Sequence, residues 1–250
     1  MINPRYSYPL AKVPGLAFDM LSGRHRSFHD DALSCINRLD PPLRVWGTEN
    51  IPASGPCLLT VNHYHRPGFG AWWIAFAVAA SVPVEMHWVM TGELTFPGKW
   101  YGFLGRPCSR WLLRRAARMY GFTGMPPMPP RPQDVAARAR AVREVLEHVR
   151  RQPGAMLTVS PEGADAPGGR LVWPPPGAGR FLLLLAGSGF PILPVGCWEE
   201  DGSLCLRFGQ VYRLEPAPRL EPDEKDHQAA GIVMRAIANE LPRHLRSEFP

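Results

Sequence analysis

The sequence contains no C-x-x-C pair, and its five cysteines (Cys35, Cys57, Cys108, Cys197 and Cys205) are scattered and odd in number. That spacing offers neither a disulfide framework nor a zinc site, and it fits a reducing, cytoplasmic setting. No basic segment followed by an apolar stretch and a small-residue cleavage site opens the chain, so export is not expected. Internal repeats and long low-complexity tracts are missing too. Two uncharged stretches, 67–84 and 181–198, come nearest to membrane-spanning length. The first is short and carries Trp72, Trp73 and Phe76, which suits a buried or interfacial helix. The second is interrupted by Gly187, Gly189, Pro191 and Pro194, so both read as core. Lysine is scarce, and the net charge of +6 rests almost wholly on arginine. Such a balance favours an anionic partner: a membrane surface, a phosphorylated substrate or nucleic acid. Zinc-finger spacing, an R-G-F-type RNA motif and sustained basic-aromatic interleaving are all lacking, so nucleic acid is not expected.

What is present is enough for one sizeable core: 250 residues, of which 45% are hydrophobic. The 29 prolines fall largely in clusters, as at 125–132 and 173–176, and stiffen loops rather than build elements. Residues 17–39 read as a helix or helix pair stopped by Asp40-Pro41-Pro42. This divides the chain into an N-terminal helical segment, 1–40, and a single domain, 41–250. Strands are expected at 43–46, 57–61, 84–90, 155–160 and 192–196, with helices at 70–80, 109–119, 133–151 and 180–186. That alternation predicts an α/β fold, a mixed and mostly parallel sheet flanked by helices. The segments 204–208 and 210–213 read as an antiparallel pair, and 224–245 as a closing amphipathic helix.

Three segments at predicted strand ends carry the chemistry. Cys57 to Val61 delivers Asn62-His63 to one strand end, Ala155 to Ser160 delivers Pro161-Glu162-Gly163 to another, and Phe190 to Val195 reads F-P-I-L-P-V. In order and spacing they resemble the first, third and fourth motifs of the glycerolphosphate and lysophosphatidate acyltransferases: N-H-x-x-x-x-D, F-P-E-G-T-R-S and a proline-containing strand. The second motif, a glycine-led apolar stretch ending in arginine, has no clean counterpart between Met119 and Arg131.

The resemblance implies a glycerolphosphate-acyltransferase-like fold and no bound cofactor. It also implies transfer of a fatty acyl group from acyl-coenzyme A or acyl carrier protein to a hydroxyl of a lysophospholipid or other glycerolipid-like acceptor. His63 becomes the candidate general base, because a hydroxyl is a poor nucleophile near neutral pH and an imidazole is a suitable proton acceptor. Asn62, Arg66, Pro161, Glu162 and Gly163 become candidate substrate contacts, and the membrane the expected site of peripheral attachment. Two positions depart from the pattern. The aspartate that orients the family's histidine is Gly68 here, and the third-motif arginine is Asp165, which repels an anionic acceptor headgroup.

Three readings follow from Gly68. Another carboxylate (Glu93, Glu162 or Asp165) replaces the missing one, turnover survives weakly, or the chain is a non-catalytic acyl-lipid-binding relative. Hydrolysis of an acyl thioester is a further outcome. Arg66 or Arg170 offers a guanidinium for phosphate, unless the acceptor carries none. Glu162 fits either a substrate contact or a carboxylate that holds its loop through backbone N–H bonds. His63 and His65 lack a third ligand at metal spacing, so no metal is expected. Arg106, Arg110, Arg114 and Arg118 form a basic stripe, either solvated or set against lipid or coenzyme A phosphates. Gly187-Ser188-Gly189 lacks the full G-x-S-x-G elbow and reads as a helix end.

Overall fold

The computed structural model describes all residues except 1–3, 97, 99, 129, 216–218 and 250. Pro129, in the segment searched for the second motif, therefore lies outside the described residues. Two helices, α1 (Val13–Ser22) and α2 (Phe28–Ile36), precede a seven-stranded sheet. Along the chain the order is β1 (Arg44–Trp46), β2 (Cys57–Val61), α3 (Trp72–Ser81), β3 (Met86–Thr91), α4 (Gly102–Tyr120) and β4 (Thr123–Met125). It continues with α5 (Val135–Arg151), β5 (Met156–Val159), α6 (Ala178–Gly187), β6 (Ile192–Glu200), β7 (Ser203–Phe208) and α7 (Pro222–Asn239). In space the strands run β1-β7-β6-β2-β5-β3-β4, and every neighbouring pair is parallel except β6 with β7.

The α/β fold with a mixed, mostly parallel sheet is thus the one the alternation implies. β2 and β5 are buried at every position, as expected where helices cover both faces of a sheet. Leu58, Leu59, Leu157, Ile192 and Leu193 form its centre, completely out of water. The N-terminal segment shares this core: α2 packs on α3 and contributes Phe28, Ala32, Cys35 and Ile36. Both long uncharged stretches lie inside the fold, the first largely as α3 and the second as α6 followed by β6. Among the described residues no helix is long and apolar enough to cross a membrane.

Several elements differ from expectation, among them the unanticipated β4. The segment 204–208 does not pair with 210–213. Instead β7 folds back on β6 through Asp201-Gly202, with Cys197 opposite Leu206, while Tyr212 forms only an isolated bridge to Ile192. The β6 strand runs four residues beyond Gly196, and this extension supplies most of the hairpin's pairing surface. The arginine-bearing helix starts at Gly102, seven residues before Ser109, and runs through Pro107. A proline there deprives the Phe103 carbonyl of its intrahelical donor, a small loss at an exposed residue open to water. The last helix stops at Asn239, and Pro242 precedes a separate short turn over Arg243–Leu245.

Because β2 to β6 are parallel, their C-terminal ends share one edge of the sheet. That edge receives Asn62-His63 after β2, Glu93 after β3 and Glu162 and Asp165 after β5, while the end of β6 carries Glu199.

Candidate active site

Asn62, 1% exposed, continues the pairing of β2 with β6 through its side chain. Its Nδ2 donates to the Cys197 carbonyl at 2.8 Å, and its Oδ1 accepts from the Cys197 N–H at 2.7 Å. Both halves of the amide are therefore engaged within the protein, and Asn62 anchors the strand end.

The next residue is held from the other side. The Glu162 carboxylate accepts the His63 N–H at 2.5 Å and the Val172 N–H at 3.0 Å. Burial pushes its pKa up to about 7, against the opposing pull of those two N–H groups. Of the two roles open to Glu162, the geometry displays the backbone one: it ties the loop after β2 to the loop after β5. Pro161 is buried beside it. Gly163 is left-handed, with φ +67°, and a Cβ there would lie 2.8 Å from Met128 Cγ. The left-handed backbone is what favours glycine here, and the Met128 side chain on the loop after β4 packs over it.

The imidazole of His63 faces Asp165, whose Oδ1 lies 2.9 Å from Nδ1. The second oxygen, Oδ2, lies 3.4 Å from Nδ1 of His65. The Asp165 oxygen stands off the axis of an Nδ1–H bond, so the contact has ion-pair distance without full hydrogen-bond alignment. The Asp165 side chain is half exposed. The close His63 ring nitrogen, and then the charges of both histidines, hold its carboxyl below the usual carboxylate range despite partial burial. Nε2 of His63 has no partner among the described residues. A carboxylate on one ring nitrogen and a free position on the other is the arrangement a general base needs.

Asp165 is therefore the carboxylate at the imidazole, although its place in the motif marked it as a misplaced charge. Gly68, at the expected position, is left-handed with φ +81°, and the nearest atom to a Cβ there is Arg66 Nη1 at 3.8 Å. Glu93 serves elsewhere. Buried at 3% exposure, it is bound by Arg106 at 2.9 Å, by Arg131 at 3.4 Å and by Arg110. Burial opposes its ionisation, but the arginines prevail and hold its pKa below the ordinary value. Two members of the expected basic stripe, Arg106 and Arg110, are consequently tied to Glu93.

Arg66 is engaged as well, in a fork on Glu199 with its Nη2 2.8 Å from Oε1. A phosphate at this guanidinium would compete with the Glu199 carboxylate. Among the described residues no group of three histidines, cysteines or carboxylates is arranged for a metal. Ser188 donates its hydroxyl to the Leu184 carbonyl at the end of α6, as a helix terminus should. A cavity of about 560 Å³ away from this site is lined by Trp173, Asp223, His227 and Arg235. The site lies at the C-terminal edge of the sheet, with the His63 side chain 22% exposed and that of Asp165 50% exposed.

A helix-covered parallel sheet with a histidine–carboxylate pair at its strand ends defines an α/β protein with a general-base site. The model of the Acyltransferase family matches residues 42–198, and the chain belongs to that family. In fold it is similar to the crystal structure of the 1-acyl-sn-glycerophosphate (LPA) acyltransferase PlsC from Thermotoga maritima. The TM-score is 0.50 at 17% identity, over 85% of this chain and 76% of that one. No curated relative is matched.

Proposed function

We propose that this acyltransferase moves a fatty acyl group from a thioester carrier, coenzyme A or acyl carrier protein, to a hydroxyl of a glycerolipid-like acceptor, with His63 as general base and Asp165 as its orienting carboxylate. The observation that carries this reading is the 2.9 Å approach of Asp165 to Nδ1. With the proton held at Nδ1, Nε2 accepts the acceptor's hydroxyl proton as the oxygen attacks the thioester carbonyl. The C–S bond then breaks, and the imidazolium returns its proton to the departing thiolate. Asp165 disfavours a phosphate close to the imidazole, so a phosphorylated acceptor must hold its phosphate away from that carboxylate.

Peripheral attachment to an anionic, cytoplasmic membrane face accompanies this reading. Phe18 and Leu21 on α1 are exposed, as are Trp100, Phe103, Leu104, Trp111 and Leu112 on and before α4, the helix against which α1 packs. Arg114 and Arg118 are exposed on the same helix, and Arg115 donates to the Leu21 carbonyl. Apolar groups beside arginines suit the headgroup region of an anionic bilayer.

The test is thiol release from long-chain acyl-coenzyme A and acyl carrier protein by the protein and by His63→Ala, with and without lysophosphatidate or neutral glycerolipid. Acceptor-dependent release lost in the variant supports transfer. Release without an acceptor identifies a thioester hydrolase, and equal background from both proteins identifies a binding relative.

A further inference from the structure

The five residues Asn62-His63-Tyr64-His65-Arg66 divide by alternation. His63 and His65 meet Asp165 at 2.9 and 3.4 Å. Tyr64 and Arg66 turn the other way and meet Glu199, with the Tyr64 hydroxyl 3.4 Å from Oε2 and Arg66 Nη2 2.8 Å from Oε1. This is the two-faced pattern of an extended segment, in which side chains i and i+2 share a side. One carboxylate therefore faces the chemistry and the other faces the scaffold.

Glu199 sits on the part of β6 that runs past the end of β2, and its side chain is only 7% exposed. A third partner reaches it from the far end of the chain, since Tyr6 donates its hydroxyl to Oε1 at 2.5 Å. The Tyr6 ring packs edge-on against Phe69 at 5.7 Å and tilted on Trp73 at 4.8 Å, and Tyr8 lies 5.0 Å from Trp73. Residues 6 and 8 thereby cover the loop that begins at His63. Burial and the neighbouring carboxylate push the Tyr6 phenol far above its ordinary range, which keeps it a donor. Downstream the same loop closes on itself, with Arg66 Nη1 donating to the Pro67 carbonyl and the Phe69 N–H donating to the Arg66 carbonyl, both at 3.0 Å.

We propose that Tyr6, Arg66 and Glu199 are positioning residues that hold the back of the 63–66 segment and so set the His63 ring against Asp165. At the segment's entry Asn62 and Glu162 hold the backbone, and beyond it the Tyr64 ring packs edge-on against Phe69 at 5.3 Å, while the Glu199 cluster supplies the polar anchor. The fork on Glu199 sets the rotation of the segment, and Tyr6 shields that fork from water and occupies a carboxylate oxygen that Arg66 alone would leave half satisfied. In activity the inference rests on the proposed transfer reaction; in geometry it does not.

The experiment uses protein carrying ¹⁵N-labelled histidine, comparing wild type with Tyr6→Phe, Arg66→Lys and Glu199→Gln, and with Asp165→Asn as reference. Tyr6→Phe keeps the ring packing, and Arg66→Lys keeps the charge but not the fork. Thermal melting confirms that each folds. His63 in the wild type is expected to show the Nδ1–H tautomer, and the anchor variants, like Asp165→Asn, a mixture of tautomers. Alongside, kcat should fall on the order of 10- to 100-fold at unchanged KM, the signature of a misplaced reacting group. A wild-type tautomer retained in Tyr6→Phe and Arg66→Lys while Asp165→Asn loses it overturns the proposal, as does a wild type with no tautomer preference. Absence of transfer in the wild type overturns the functional reading alone, and the tautomer comparison still decides this one.

Discussion

Asp165 approaches His63 from the loop after β5, whereas the position five residues along the histidine's own loop is Gly68, facing Arg66. In the proposed reaction the orienting carboxylate thus comes from a different loop than the motif position. Asp165→Asn should therefore lower kcat/KM by roughly 10²- to 10⁴-fold in the acyl-transfer assay, the range over which general-base arrangements act. Adding Gly68→Asp to that variant should restore nothing, because a side chain at left-handed residue 68 meets the Arg66 guanidinium and not the imidazole. Recovery of turnover in the double variant would place the orienting role at residue 68.

Glu162 gives stability a pH dependence. A carboxyl raised from an ordinary 4.5 to about 7 by burial stabilises the fold while protonated, below about pH 4.5. That contribution is lost as pH rises through 7. Glu162→Gln removes the titration, so its stability relative to wild type should increase across this window, by about 3 kcal/mol at most. Urea unfolding of both proteins between pH 4.5 and 8 checks this, and parallel profiles would assign the pH dependence elsewhere.

Asp226 on α7 accepts the Gly177 N–H at 2.6 Å and the Arg180 N–H at 2.7 Å, capping the start of α6 from another helix. Asp226→Ala leaves two N–H groups unpaired at a largely buried junction. The expected loss is about 1–3 kcal/mol, read from denaturant midpoints at constant slope.

The exposed aromatic residues ahead of and on α4 bear on attachment. Trp100 is 84% exposed and Phe103 69%. Trp100→Ser with Phe103→Ser should weaken binding to vesicles containing anionic lipid by about 10-fold or more, since each ring contributes about 1.5–3 kcal/mol or less when buried in the interface. Unchanged sedimentation with vesicles would remove this face from the account.

Much of the fold was legible in the sequence because its parallel strands are short apolar runs bounded by glycine, proline and asparagine, as at Cys57–Val61 and Met156–Val159. The β4 strand escaped because three residues, Thr123–Met125, carry no periodicity. The pairing of β7 was misread because nothing local distinguishes a partner at 210–213 from one at 195–200. At the site, His63 and Glu162 were visible by their places at strand ends. The engagement of Asn62 and Arg66 inside the protein was not, since their partners Cys197 and Glu199 lie on a strand far along the chain. The alternation His63-Tyr64-His65-Arg66 was the one local sign that the segment has two faces. Asp165 was named among the candidate carboxylates, but only the meeting of the β2 and β5 loops ranks it above Glu93 and Glu162. Tyr6 carried no signal at all.

The most direct measurement is formation of acylated lipid from long-chain acyl thioester and a glycerolipid acceptor by wild type, His63→Ala and Asp165→Asn, each confirmed folded. The account predicts acceptor-dependent product from the wild type, none above background from His63→Ala, and a residual level from Asp165→Asn. Product formed equally by all three would contradict it, because neither the imidazole nor its carboxylate would then take part in the chemistry.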